Sequence, residues 1–134
     1  MNLKPKQFKF IKYHKGRNKG VTFKRNNLLY GNYGLKSISN GFLNFNQIES
    51  ARKSIVRHLG KNSKFWIRIL TDKVITKKPL EVRMGKGKGA VFDWVSVIKP
   101  GLIIFEVFNL NRILVLKALF SASQKLSIKT ELCF

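Results

Sequence analysis

Six carboxylate side chains share this chain with 27 lysines and arginines, a formal net charge of +21 over 134 residues. A domain of this size ordinarily holds its net charge to a magnitude of about 2–8. At +21 a folded chain repels itself unless a polyanion neutralises it. Nucleic acid, with one charge per ~1.7 Å of duplex axis, is the densest candidate. An anionic membrane surface and an acidic protein are the others. The chain is not a disordered polycation, because 44% of its residues are hydrophobic and 12% aromatic, outside the composition that stays unfolded. One domain with a real core is expected, burying about 65% of the unfolded chain's surface.

Little in the sequence points to catalysis. Cys133 is the single cysteine, so neither an intrachain disulfide nor a cysteine-based metal site is expected. The acids Glu49, Asp72, Glu81, Asp93, Glu106 and Glu131 stand singly, with no short-range pair suited to acid–base or metal work. His14 lies in a basic stretch and His58 near a helix end, which reads as RNA-facing or surface histidine in both cases. No catalytic residue, metal or cofactor is expected. Nor is membrane insertion, since no apolar run approaches the ~18 residues of a span. The longest, Leu102 to Phe108, is interrupted by Glu106. The N-terminus lacks the apolar stretch and cleavage site of a secretory signal, and Pro5 and Gly16 interrupt any amphipathic helix there.

Charge is unevenly spread. Ten lysines and arginines precede the first acid, Glu49. Lys4, Lys6, Lys9, Lys12, Lys15, Arg17 and Lys19 recur every two or three residues, with Phe8, Phe10 and Tyr13 between them. Such a stretch cannot bury a face, so residues 1–29 read as a basic arm that orders on RNA. A mobile solvated tail is the plainer alternative. Residues 30–134 read as the core domain. Tyr30-Gly31-Asn32-Tyr33-Gly34 marks a loop or bulged strand. Asn44 and Gln47 form an Asn variant of the capping box, and Leu43 with Ile48 has staple spacing. Ile48, Ala51, Ile55, Val56 and Leu59 then make one buried helical stripe, with Arg52, Lys53 and Arg57 on the opposite side and Gly60 as C-cap. That cationic face is either an RNA-facing element or an ordinary solvated surface.

The middle reads as β-structure. Phe65 to Leu70 is expected as a strand buried on both faces. Val91–Ile98 and Leu102–Phe108 are expected as a hairpin joined by Lys99-Pro100-Gly101. A second helix is predicted from about Arg112 to Gln124, turning Ile113, Leu116, Leu119, Phe120 and Ala122 inward, and Ile128 to Leu132 returns as a last strand. The fold class is therefore α+β: a compact single-domain sandwich with two helices packed on a mixed or antiparallel sheet.

Gly85-Lys86-Gly87-Lys88-Gly89 invites comparison with nucleotide-binding loops. A P-loop needs its Lys followed by Ser or Thr and then a helix. Here glycine follows each lysine, and Val91 onward reads as strand. What remains, within residues 83–90, is an extended loop whose glycines let backbone approach a surface closely and whose Arg83, Lys86 and Lys88 suit phosphates.

From Lys78-Pro79-Leu80-Glu81-Val82-Arg83 through Met84 to Gly89 the sequence resembles the signature of the L-sixteen family of large-subunit ribosomal proteins, bacterial type. Other blocks match in order: Lys15-Gly16-Arg17-Asn18-Lys19-Gly20, Gly31-Asn32-Tyr33-Gly34-Leu35-Lys36, Gln47 to Lys53, Phe65-Trp66-Ile67-Arg68, Asp72 to Thr76, and Lys125 to Thr130. The resemblance implies a compact α+β protein of the large ribosomal subunit, lying near the aminoacyl-tRNA site. It implies that Lys4, Lys6, Lys9, Lys12, Lys15, Arg17, Lys19, Arg52, Lys53 and Arg57 contact ribosomal RNA. It also implies that Arg83, Met84, Gly85, Lys86, Gly87, Lys88 and Gly89 form a loop reaching toward aminoacyl-site tRNA, and that other ribosomal proteins are neighbours. Peptide bond formation would belong to the RNA.

Two blocks depart from the family. Ser39-Asn40-Gly41-Phe42 stands where arginines are usual, and Glu106-Val107-Phe108-Asn109 replaces a Glu-Met-Asp-Gly run. Phe42 and Phe108 are expected in the core, with contact to another protein as the alternative. The Asn-, Lys-, Ile- and Phe-rich composition, and a start where the family starts, lead us to expect a mitochondrially translated gene, with an AT-rich bacterium as the alternative. Two rival functions share the charge: a free-standing nucleic-acid chaperone or DNA-packaging protein, and, against the loop evidence, a nucleotide-using enzyme.

Overall fold

The computed structural model describes residue 5, residues 9–60 and residues 63–134, so Lys4, Lys6 and Phe8 lie outside the described residues. In chain order the elements are β1 (Tyr33–Ser37), β2 (Gly41–Asn44), α1 (Phe45–Leu59), β3 (Lys64–Ile67), β4 (Lys73–Lys77), β5 (Ala90–Ile98), β6 (Ile103–Phe108), α2 (Arg112–Ser123) and β7 (Thr130–Cys133). They form a four-stranded sheet in the order β3-β6-β1-β7 and a three-stranded sheet in the order β2-β5-β4. Every pairing is antiparallel. The class is the expected α+β, with two sheets where one was expected.

The helix α1 begins where its caps say it should. The Gln47 side-chain oxygen accepts the Asn44 backbone N–H at 3.1 Å, and Gly60 closes the helix at φ 68° and ψ −166°, a conformation essentially restricted to glycine. Ile48, Ala51, Ile55 and Leu59 are buried, but Val56 is 46% exposed, so the stripe is narrower than expected. In α2 the expected face is partly right, for Leu119 and Ala122 are buried, but the buried stripe is rotated from the expected one. Ile113 and Phe120 point to solvent, while Val115, Ala118, Leu119 and Ala122 are buried. The sequence from Ile113 to Phe120 is apolar almost all round, so several stripes satisfy helical periodicity and only the partner selects one. That partner is α1, against which α2 packs. Asn111 caps α2, its side-chain oxygen accepting from Ile113 N at 3.1 Å and Leu114 N at 3.3 Å.

The expected hairpin is also overturned. β5 pairs with β2 and β4, whereas β6 pairs with β3 and β1, so the two strands belong to different sheets. Pro100 and left-handed Gly101 (φ 88°) occupy the central positions of a turn closed by Leu102 N–H on Lys99 O at 3.2 Å. This is a type II arrangement, whose twist splays strands instead of pairing them. The turn is bound to the end of β1 by Gly101 N on Ser37 O at 2.8 Å and Ser37 N on Leu102 O at 2.9 Å. There the chain passes from one sheet to the other. β3 is only half-buried, because it is an edge strand, and Leu70 beyond it is exposed. The strand buried throughout is central β6, from Ile103 to Val107. The core joins Leu35, Phe105 and Val107 of the larger sheet to both helices, with Leu43 and Ile98 contributed by the smaller.

Candidate nucleic-acid interface

The loop at residues 78–89 connects β4 to β5, whose pairing ends at Lys77 opposite Ala90. Two of its glycines serve conformation and one serves proximity. Gly85 and Gly87 sit at φ 95° and 91°, in open space. Gly89 lies so close to the facing strand that a Cβ there would meet the Lys77 carbonyl at 2.6 Å. The Lys78 ammonium donates to the Gly85 carbonyl and ties the loop to its own base. Arg83, Lys86 and Lys88 are exposed, and Met84 is 98% exposed at the same tip. The loop leads into a strand, where a P-loop would lead into a helix.

Among the described residues of the arm, 9–29, there is no helix or strand, yet hydrogen bonds lace it to both sheets. The Asn18 amide donates to Gly41 O at 3.0 Å and Ile98 O at 2.9 Å. Thr22 N donates to Pro100 O at 3.0 Å, and Arg25 O accepts from Ile103 N at 3.1 Å. The arm also touches the loop: the Lys88 ammonium donates to Tyr13 O, and the Lys12 ammonium to Lys88 O at 3.4 Å. Two basic regions far apart in sequence thus form one surface, carrying Lys12, Lys15 and Lys88. Lys9, Arg17 and Lys19 are exposed along the same arm.

A second cluster went unnoticed in the sequence. Glu106, fully buried on β6, is paired with Arg68 at 2.5 Å. It also accepts the backbone N–H groups of Leu29, Tyr30 and Gly31 at 3.2, 2.8 and 3.1 Å. Arg68 stands 5.0 Å from the Tyr30 ring centre, and Tyr30 stacks on Trp66 with centres 5.8 Å apart. One carboxylate therefore fixes where the arm joins the body and holds a cation–aromatic stack at the surface. The sequence carried two signals for it. An acid inside an otherwise apolar strand needs a partner, and Trp66 and Arg68, two apart, share one face.

On α1, Lys53 and Arg57 are exposed. Arg52 is engaged by Glu49 through two bonds of 2.6 and 2.9 Å. The hydrogen bond from Arg52 holds the Glu49 carboxyl below the usual glutamate range and raises the guanidinium in turn. Burial pushes the Cys133 thiol up. Among the described residues no group of acids, histidines and cysteines could hold a metal, and no helix is long and apolar enough to cross a membrane.

Residues 5–133 match the family described as Ribosomal protein L16p/L10e. The chain belongs to that family. It is 67% identical over 134 residues to the large ribosomal subunit protein uL16 of Carsonella ruddii, covering 100% of this chain and 99% of that one. The proteins of the same name from Aeromonas hydrophila and Psychrobacter arcticus are each 48% identical, covering 96% and 97% of this chain and 93% and 95% of their own. These relatives are bacterial, so the expected mitochondrial origin finds no support. L16p/L10e proteins are structural and non-enzymatic.

The departures from the L16p/L10e pattern acquire a structural account. Gly41 stands where a Cβ would meet Ile128 Cγ2 at 2.3 Å. The Ser39 hydroxyl accepts Lys129 N–H at 3.0 Å. The turn is thereby locked to the segment before β7. Phe42 and Phe108 are not core residues: Phe42 is half-buried beneath the Lys73 ammonium, 5.5 Å from its ring centre, and Phe108 is 40% exposed.

Proposed function

We propose that this chain is a structural constituent of the large ribosomal subunit. It binds ribosomal RNA through its arm and the Lys53/Arg57 face, and presents residues 83–89 toward aminoacyl-site tRNA near the peptidyl-transferase region. The observation that carries the reading is the full-length match to relatives named as large-subunit proteins. The geometry supports it: the arm and loop make one cationic surface, and an exposed Met84 at its tip has no role in an isolated domain. Residues 1–29 act as the RNA-binding arm and residues 30–134 as the body that carries the loop. Neighbouring ribosomal proteins cover the outer side of α2, where Leu110, Ile113 and Phe120 are exposed. The bacterial relatives favour a bacterial cytoplasm.

Gradient sedimentation of native lysate, with and without ribonuclease, tests the assignment. The chain is expected in the large-subunit peak and lost from it on digestion. Recovery near the top of the undigested gradient would return the free-standing chaperone to the front.

A further inference from the structure

A cleft of about 400 Å³ lies between the arm and the three-stranded sheet, walled by Tyr13 and Lys15, by Phe42 of β2, by Lys73 and Ile75 of β4, and by Lys88 of the loop. This is within the size range of small-ligand sites, about 300–1,000 Å³. Three lysines line it and no carboxylate does; Asp72 opens onto an adjoining hollow beyond Tyr13 and Lys73. The Lys73 ammonium donates to Lys15 O and stands over the Phe42 ring. The Lys88 ammonium donates to Tyr13 O. Each ammonium carries three donors, so one backbone bond leaves capacity for an anion. Tyr13 remains 39% exposed.

Aromatic rings beside fixed cations suit a base with its phosphate, because any base has a stacking face and ammoniums meet the phosphate oxygens. We propose that this cleft holds one unstacked nucleotide of ribosomal RNA, its base against Tyr13 or Phe42 and its phosphates on Lys15, Lys73 and Lys88. The inference rests on the RNA-binding reading above. A strand is favoured over a free nucleotide because further cations belong to the same arm: Lys12, whose ammonium reaches Lys88 O at 3.4 Å, and the exposed Lys9, Arg17 and Lys19, which suit the phosphates of a continuing backbone.

Ultraviolet cross-linking of purified large subunits, followed by mass spectrometry of peptide–nucleotide adducts, reads the site directly. Adducts are expected on peptides containing Tyr13 or Phe42. Adducts confined to other basic segments would sink the cleft while leaving RNA binding intact. Absence of the chain from the subunit would sink the reading beneath it. A second measurement uses the full chain and an rRNA fragment across a salt series. Tyr13→Ala is expected to weaken binding roughly tenfold with an unchanged salt slope, since it removes a stacking ring and leaves every phosphate-binding cation in place. Tyr13→Trp is expected to restore it. A slope that falls with Tyr13→Ala, or a Trp variant as weak as the Ala one, overturns the stacking role. Saturable binding of adenosine monophosphate to the RNA-free chain, with no adduct at the cleft in subunits, would reassign the cleft to a free nucleotide.

Discussion

Glu106 is the residue on which most separate features converge. It takes a guanidinium and three backbone N–H groups at zero exposure. Removing one partner of a buried pair leaves the other charge uncompensated. Glu106→Ala is therefore expected to destabilise the isolated protein by about 3–5 kcal/mol, measured as a lowered urea midpoint. The Arg68 side chain is only 9% exposed, too enclosed for water to replace the missing carboxylate. Glu49 makes a different prediction, one of pH. Its carboxyl is held below the usual glutamate range by Arg52, so the folded state favours the ionised form. That stabilisation is present above the unfolded-state value and is lost as pH falls through the lowered folded one. Urea midpoints of the parent and Glu49→Gln should differ at neutral pH and converge in acid; a gap that persists in acid would assign the effect to packing.

At the scale of elements, the loop separates two uses of glycine that a Gly-Lys repeat makes look alike. Alanine at Gly87 meets open space and bears only the left-handed strain of φ 91°, about 1–2 kcal/mol. Alanine at Gly89 would drive its methyl into the Lys77 carbonyl. Gly89→Ala should accordingly raise hydrogen exchange at the ends of β4 and β5 more than Gly87→Ala does; equal effects would mean that the close approach does not constrain the loop. The two helices show a parallel contrast. α1 declares its face because cations break its apolar stripe, whereas α2 offers apolar residues on most sides and takes its face from α1.

For the whole molecule, part of the +21 charge is gathered on a surface that arm and loop build together. Deleting the residues before Gly20 is expected to weaken rRNA binding and lower the salt slope by about 0.7–0.9 log units for each phosphate left without its cation. Because the deletion also removes Tyr13 O, the acceptor for Lys88, it should loosen the loop as well. Hydrogen exchange over residues 86–89 is expected to rise in the truncated chain. Unchanged exchange there would show the loop to be held from its own strands alone. Neutralising Lys86 and Lys88 together should impair translation more than subunit assembly, read by comparing polysome fractions with free subunits.

What the sequence determined by itself was what short-range physics can carry. The charge excess demanded a polyanion, Asn44, Gln47 and Gly60 delimited α1, and the glycines of residues 85–89 ruled out a nucleotide-binding loop. The tertiary structure decided whatever depends on partners distant in the chain. Lys99-Pro100-Gly101 marks a turn in either sheet arrangement, and only the bonds from Gly101 and Leu102 to Ser37 send β5 and β6 into different sheets. An acid in the apolar run of β6 signals that Glu106 needs a partner, but no local pattern names Leu29 to Gly31 and Arg68 as its partners, or Lys88 as the partner of Tyr13. A hydrogen bond between distant residues leaves no periodicity in the chain, so its partners become visible only once the chain has folded.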